Sequence, residues 1–181
     1  MSQPTHRPLP PGEPPQPTSR PPRIELVPLE TPAGANLILG QAHFIKTAED
    51  LYETIVNSVP SAKFGVAFSE ASGPRLIRSE WNDPELQAAA ERQLLALSCG
   101  HAFLVFLRDA FPVNVLRDIR ACVEVVTVFC ATANPAAVVV ARDGDTAAIL
   151  GVMDGQTPLG IEDEAAARAR REFVRSIGYK R

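Results

Sequence analysis

Two residues in the N-terminal half of the chain, His43 and Lys46, have side chains suited to phosphoryl or proton transfer. A neutral imidazole can attack a phosphorus atom or accept a proton, and a nearby ammonium group can neutralise phosphate oxygens. Both residues follow an apolar, strand-like run and precede Thr47. Because ligand crevices of α/β proteins form at the carboxyl ends of strands, this junction is the first predicted site. The alternative is that His43 is a core histidine hydrogen-bonded to the backbone.

The helix that begins at Thr47 affects how an anion could bind there. Thr47 as N-cap with Asp50 at the third helical position is a variant of the capping box. Glu49 and Asp50 place negative charge in the first turn, where they complement the helix dipole and repel phosphate. An anion at this junction would therefore depend on Lys46.

A second histidine, His101, begins another apolar strand and is preceded by Cys99 and Gly100. A cysteine nucleophile needs a base that faces its thiolate. Cys99 and His101 are only two positions apart in a predicted turn, where their side chains are poorly placed to face each other. A hydrolase built on Cys99 or Cys122 is therefore the least supported class. No histidine or cysteine pair has the spacing of metal ligands.

Charged residues next to other predicted strand ends are further candidates. Arg75 and Arg108 are the cations, and Glu70 and Asp109 are carboxylates in matching places. Asp154, in the segment VMDG, has the chemistry to bind a metal ion or a ribose hydroxyl. Such residues are more often solvated, salt-bridged or turn-forming, so only convergence in space would make them a site.

The apolar periodicity predicts alternating strands and helices. We expect strands near residues 24–27, 36–43, 63–69, 75–81, 101–107, 123–131, 136–141 and 146–152. We expect helices near residues 47–59, 83–97, 112–121 and 162–177, the last with an inward stripe of Ala166, Ala169, Phe173 and Ile177. Two strand pairs read as hairpins, the second across Asp143 and Gly144. The predicted fold is therefore a single α/β domain with a mixed β-sheet packed by about four helices.

Length and composition divide the chain into a tail and one domain. Nine of the 17 prolines lie between residues 4 and 22, which predicts a disordered proline-rich tail over residues 1–23 and a domain over residues 24–181. The net charge is −3, and because the tail contributes +2, the domain carries about −5. This balance disfavours nucleic-acid binding.

No GxGxxG or GxxxxGK[ST] loop is present, which disfavours a Rossmann or P-loop nucleotide site.

Cysteine usage and hydropathy predict a cytoplasmic protein. The three cysteines form no CxxC pair and leave an odd count, which is typical of a reducing compartment. The N-terminal residues lack the apolar core of a signal peptide, and no apolar run approaches the roughly 18 residues needed to span a bilayer. We therefore expect no membrane partner.

Several segments resemble the adenosine-specific kinase family, from about residue 24 to the C-terminus. They are GQAHFIKT (40–47), KFGVAFSEASGPRL (63–76), GHAFLVFLR (100–108), FPVNVL (111–116), FCATANP (129–135) and LGVMDG (150–155). The resemblance implies an α/β protein that binds adenosine and its phosphates and carries a phosphohistidine. The matching histidines are His43 and His101, and we favour His43 because Lys46 is close to it in sequence.

Our mechanistic hypothesis is that a histidine ring nitrogen attacks the terminal phosphate of an adenine nucleotide in line. Lys46 and Arg75 would neutralise the equatorial oxygens. Mg²⁺ is expected with ATP, with Asp109 as the first candidate ligand and Glu70 or Asp154 as others. The substrate-binding candidates are Arg75, Glu70, Arg108, Asn134 and Asp154.

Two further expectations concern turnover and assembly. The alternative function is a non-catalytic adenine-nucleotide-binding sensor or adaptor that only autophosphorylates. Exposed hairpin edges favour association, so we expect a homo-oligomer such as a trimer.

Overall fold

In a computed structural model that describes residues 21–180, the alternating apolar segments form eight strands and four helices. The elements are β1 (Arg23–Leu29), β2 (Asn36–Ala42), α1 (Thr47–Ser58), β3 (Lys63–Ser69), β4 (Ile77–Trp81), α2 (Pro84–Leu97), β5 (Ala102–Arg108), α3 (Pro112–Ala121), β6 (Val125–Thr132), β7 (Ala136–Asp143), β8 (Thr146–Asp154) and α4 (Glu164–Ser176). Most of the predicted tail, residues 1–20, lies outside the described residues.

The centre of the domain is a five-stranded sheet with the strand order β4-β3-β5-β2-β6. Its three middle strands read as nearly continuous apolar runs, which is typical of strands covered on both faces. Leu37, Ile38 and Leu39 of β2 are completely buried, although their side chains alternate between the two faces. The uniform hydrophobicity of these segments therefore follows from their position between two layers.

Two different layers cover this sheet. On one face lie α1 and α3, which contribute Ile55 and Ile119 to a core with Phe103. On the other face lie α2 and a second, three-stranded sheet with the order β1-β7-β8. Gly65 permits the close contact with α2, because a Cβ atom there would lie 2.3 Å from the backbone nitrogen of Gln87.

The prediction of a single α/β domain with four helices is confirmed, but the strands are arranged differently from the single mixed sheet that we expected. Every pairing in the two described sheets is antiparallel. Helix α1 does connect two strands that run in the same direction, β2 and β3. However, β5 lies between them and is antiparallel to both. The two strands that α1 connects are therefore parallel to each other but not adjacent in the sheet.

The last helix also differs from the expectation. The side chain of Asp163 caps α4 by accepting a hydrogen bond from the Ala166 N–H at 2.8 Å. No residue of α4 is buried, and Phe173 in the predicted inward stripe is 61% exposed. Leu159 and Ile161, in the segment before the helix, are fully exposed. The apolar stripe of α4 therefore does not pack on the core of its own chain.

Candidate active site at the histidine edge

Both candidate histidines lie at one edge of the five-stranded sheet, where β2 and β3 end and β5 and β6 begin. We refer to this edge as the histidine edge. Gln41 of β2 pairs with Ala102 of β5 in the antiparallel register. Next to this pair, the Ala42 N–H donates a hydrogen bond to the His101 carbonyl at 2.9 Å. Residues distant in sequence, His43 and His101, are therefore brought together by strand pairing.

His101 is held in a defined position before β5. Its backbone is in the left-handed region, with φ of 60°, and its N–H donates to the Ser69 carbonyl at 2.8 Å. Its ring stacks on Phe68 with the ring centroids 5.9 Å apart. Burial lowers the pKa of His101, and the nearby His43 adds to this effect. His101 is thus held in the neutral form more strongly than an exposed histidine.

His43 is exposed and begins a four-residue loop that ends at Lys46. The His43 N–H donates to the Glu124 carbonyl at 3.1 Å, which joins the loop to the residue before β6. The N-cap of α1 is Lys46 rather than the predicted Thr47, which is the first helical residue. The buried Thr47 hydroxyl instead donates to the Phe44 carbonyl at 2.5 Å and closes the loop.

Lys46 is bound by two carboxylates. Its Nζ lies 2.6 Å from Asp50 Oδ2 and 2.5 Å from Glu124 Oε1. Hydrogen bonds to Asp50 and Glu124 raise the pKa of Lys46. Burial raises the pKa of Asp50, and Glu124 contributes in the same direction against the effect of Lys46. The ammonium charge is therefore largely balanced within the protein.

Glu124 is a residue of this site that sequence reasoning missed. Its side chain is buried at the start of β6, and the residue is 3% exposed. Burial opposes ionisation of Glu124, but hydrogen bonds from Lys46 and Asp50 outweigh burial and lower its pKa. The feature of the sequence that could have identified Glu124 is its position as the single acidic residue in the apolar segment CVEVVTVFC. Its pairing with Lys46, 78 positions earlier, could not be read from spacing.

A cavity of about 160 Å³ lies between the two sheets at the histidine edge, and neither histidine is among its lining residues. Phe129 and Ile149 supply its large apolar surfaces, and Gln41 supplies an amide. The lining residues are Gln41, Cys99, Gly100, Ala102, Phe129, Ala147, Ala148 and Ile149. Gly100, the neighbour of His101, thus belongs to the wall of this cavity.

A larger and more polar cavity, of about 340 Å³, adjoins the first at Ala147. Its lining residues are Arg75, Ser98, Arg142, Gly144, Asp145, Thr146 and Ala147. The Arg142 guanidinium forms an ion pair with Glu25 and donates to the Ala96 carbonyl at 3.3 Å. Arg75 is exposed, in the turn that leads to β4. The structure therefore places Arg75 on the same side of the molecule as the first cavity.

Glu70 also lies at the histidine edge, where it closes the β3–β4 hairpin. Its carboxylate accepts hydrogen bonds of 2.8 Å from both the Leu76 N–H and Arg78. These contacts, with the Leu76 N–H as the larger effect, lower the pKa of Glu70 against the effect of burial. The observed contacts of Glu70 are those of a structural ion pair.

The other predicted site residues lie at the opposite edge of the sheet. Arg108 ends β5, seven residues and about 20 Å from the histidine edge. Its guanidinium forms a bidentate pair with Glu85, at 2.9 and 3.0 Å. The exposed Asp109 follows it with φ of 58°. Neither residue is brought near the histidines.

Asn134 and Asp154 also lie at that opposite edge and contact each other. Asp154 Oδ1 accepts hydrogen bonds from Thr132 Oγ1 at 2.7 Å and Asn134 Nδ2 at 3.1 Å. These contacts connect the β6–β7 turn to the end of β8. The predicted acidic ligands are therefore split, with Glu70 at one edge and Asp109 and Asp154 at the other, and the three do not fit one shared metal ion.

Within residues 21–180, no group of three or more histidine, cysteine, aspartate or glutamate side chains is arranged to hold a metal ion. No helix in the same range is long and apolar enough to cross a membrane.

Known proteins confirm the family resemblance. The family described as "Adenosine specific kinase" matches residues 27–180. The crystal structure of the PH1918 protein from Pyrococcus horikoshii OT3 is similar to this chain, with 39% sequence identity and a TM-score of 0.85. The similarity covers 88% of this chain and 99% of that chain. No curated protein matches the sequence. Because the family match spans most of its length, this chain belongs to the adenosine-specific kinase family.

Proposed function

We propose that this protein binds adenosine and adenine nucleotides and transfers a phosphoryl group through a phosphohistidine. The observation that carries the proposal is the convergence of His43 and His101 at the edge of the sheet where a cavity is lined by an aromatic ring. A phosphoryl carrier needs a neutral imidazole close to a bound nucleotide, and this edge of the sheet has two imidazoles and a cavity that could take a nucleotide base. Membership of the adenosine-specific kinase family supports the same ligand class.

The cavity between the two sheets is the proposed binding site of the adenine ring. Its 160 Å³ is smaller than the roughly 300 Å³ or more of pockets for whole drug-sized ligands, so it suits one ring system. Phe129 offers a surface for stacking, and the Gln41 amide offers both a donor and an acceptor for the edge of the base. The ribose and the phosphates would then extend out of the cavity towards the histidines.

His43 is the proposed nucleophile, because its exposed ring is accessible to a phosphate. In the first step its ring nitrogen attacks the terminal phosphorus of ATP, a P–N bond forms, and the bond to the bridging oxygen breaks, which releases ADP. In the second step a hydroxyl of adenosine attacks that phosphorus, the P–N bond breaks, and the hydroxyl proton is released to a base. His101, kept neutral by burial, is the proposed acceptor of that proton.

The charges on the transferred phosphate need partners beyond Lys46. Arg75, exposed on the same side as the cavity, is the proposed cation for the equatorial oxygens. Mg²⁺ is proposed to bind with ATP, since Mg²⁺ is usually held by substrate phosphates and only one or two carboxylates. The ion would supply charge neutralisation on the phosphates.

One observation favours the alternative, a nucleotide-binding sensor or adaptor that only autophosphorylates. Lys46 is already neutralised by Asp50 and Glu124, which leaves little of its charge for stabilising a phosphoryl-transfer transition state. A slow, single phosphorylation would be compatible with that arrangement. Multiple turnovers with adenosine in excess over the enzyme would exclude this alternative.

We also propose that the protein is a homo-oligomer, with a trimer as the expected form. The outer face of the β1-β7-β8 sheet exposes Leu26, Leu150 and Met153, each by more than half. The apolar stripe of α4 is uncovered as well. Apolar faces of this kind are typical of protein interfaces. The cytoplasmic location remains a prediction from sequence.

The decisive experiment is incubation of the wild-type protein, His43→Ala and His101→Ala with γ-labelled ATP and Mg²⁺, followed by intact-mass analysis. Label that is stable to alkali, lost in acid and absent only from His43→Ala would support the proposal. Undiminished label on His43→Ala would remove His43 from the role. An unlabelled wild-type protein that still binds adenosine would contradict phosphoryl transfer.

A further inference from the structure

Glu124 is a buried carboxylate whose hydrogen bonding is incomplete. Its Oε1 contacts Lys46, whereas its buried Oε2 has no hydrogen-bond partner among the described residues. Taking a carboxylate out of water is costly even when it is paired, and replacing such a pair by apolar residues is often neutral for stability. Stability alone is therefore a weak explanation for an acidic residue at this position.

Glu124 contacts both ends of the loop that carries His43. Its backbone carbonyl accepts the His43 N–H at 3.1 Å, and its side chain binds Lys46 at 2.5 Å. Between these two contacts, Phe44 and Ile45 are each 44% exposed. Glu124 thus contributes a large share of the contacts that hold this loop against the sheet.

Helix α1 holds the same loop from the other side. Asp50 Oδ2 binds Lys46 at 2.6 Å, and the Asp50 N–H donates to the Lys46 carbonyl at 3.0 Å. Lys46 therefore connects α1 with the residue before β6. Of the two carboxylate residues that bind Lys46, Glu124 is the one that also contacts His43. Loss of the Glu124 charge would replace the ion pair between Lys46 and Glu124 by at most a neutral hydrogen bond, while the ion pair with Asp50 of α1 stays.

We propose that Glu124 is a positioning residue for His43, which it holds in place through its backbone carbonyl and through Lys46. This inference rests on the proposed function, in which His43 receives the phosphoryl group. A nucleophile must be oriented towards phosphorus, and a displacement of about 1 Å can lower a rate by roughly 100-fold. Glu124 itself touches no reacting atom in this scheme.

The experiment uses the full chain with Glu124→Gln, Lys46→Met and the double variant. Glu91→Gln is the matched control, because Glu91 of α2 also accepts a hydrogen bond from a neighbouring strand, from Ser79 of β4. Three quantities are measured: the single-turnover rate of His43 labelling at saturating ATP, the ATP concentration at half-maximal rate, and the hydrogen-exchange rate of the His43 backbone amide.

We expect Glu124→Gln to lower the saturated labelling rate about 10- to 100-fold, with less than about twofold change in half-saturating ATP. The double variant should label no more slowly than the slower single variant, since both act through one contact. The His43 amide should exchange about tenfold faster in Glu124→Gln. Glu91→Gln should leave all three quantities unchanged.

Two results would overturn the proposal: a wild-type labelling rate in Glu124→Gln, or an equal loss of rate in Glu91→Gln. If Glu124→Gln does not fold, Lys46→Met changes an exposed side chain and tests the same contact. If the wild-type protein takes up no label, the proposed function fails, yet the exchange rate still decides this inference. Faster exchange at His43 would support positioning by Glu124, and unchanged exchange would overturn it.

Discussion

The backbone N–H of Ala42 donates a 2.9 Å hydrogen bond to the carbonyl of His101. This bond extends the β2–β5 pairing by one residue beyond Gln41 and Ala102. His43 follows the last residue of β2, and His101 precedes the first residue of β5. The two histidines therefore lie at the same edge of the sheet. The proximity of the two histidines thus depends on the backbone and not on a contact between their side chains.

The first prediction concerns the base-binding cavity. Phe129→Ala should weaken adenosine binding by on the order of tenfold, because stacking of a base on an aromatic side chain is lost. Isothermal titration calorimetry measures the effect. Phe111→Ala is the control, since Phe111 is an exposed aromatic residue before α3, outside the lining of the cavity. Equal affinities of wild type and Phe129→Ala would place the base elsewhere.

The second prediction concerns the pH dependence of stability. Because the folded pKa of His101 is lowered, the unfolded state binds a proton at higher pH than the folded state. The free energy of unfolding should therefore fall as the pH drops below the unfolded histidine value of about 6.5. His101→Asn, which tolerates the positive φ, should reduce this fall between about pH 7.5 and pH 5.5. Urea unfolding at both pH values measures it, and identical pH slopes would contradict the assignment.

The third prediction concerns the contact between β3 and α2. Gly65→Ala should lower the free energy of unfolding by about 1–3 kcal/mol, because its Cβ would lie 2.3 Å from the backbone of Gln87. Gly151→Ala in β8 is the matched control, since nothing lies within 4 Å of its Cβ position. Urea denaturation compares the two variants. A stable Gly65→Ala would mean that α2 can move away from the sheet at little cost.

The fourth prediction concerns assembly. Leu150→Lys should shift the protein towards smaller species, because it places a charge on the exposed apolar face of the β1-β7-β8 sheet. Leu95→Lys is the control, since Leu95 is equally large, 68% exposed and located on α2. Light scattering coupled to size-exclusion chromatography gives the masses. A wild-type protein that is monomeric would contradict the proposed homo-oligomer.

Element types and most of their bounds followed from local patterns in the sequence. Pro84, after the two possible caps Asn82 and Asp83, indicated the start of α2, and in the structure Asp83 is the cap, accepting hydrogen bonds from the Glu85 and Leu86 N–H groups. Such signals are readable because a cap and the N–H groups that it satisfies lie within three residues of each other. The stripe of α4 was the exception, since periodicity identifies an apolar face without showing what covers it.

The composition of the histidine edge was only partly readable from sequence. His43 and His101 were both recognisable as imidazoles next to apolar strands, and the family resemblance pointed to the same two residues. Arg108 and Asp109 had equally suitable positions after a strand, yet the antiparallel register places them at the opposite edge. Position after a strand specifies an edge only once the direction of each strand is known.

By itself, the sequence determined the local elements, the family, and the two histidines that border apolar strands. Only the tertiary structure decided that β5 lies between β2 and β3, which aligns His101 with His43, and that the buried Glu124 binds Lys46. The physical reason is that pairing of distant strands is selected by burying apolar surface on both faces of a sheet. That selection depends on the whole chain and leaves no signature in the spacing of neighbouring residues.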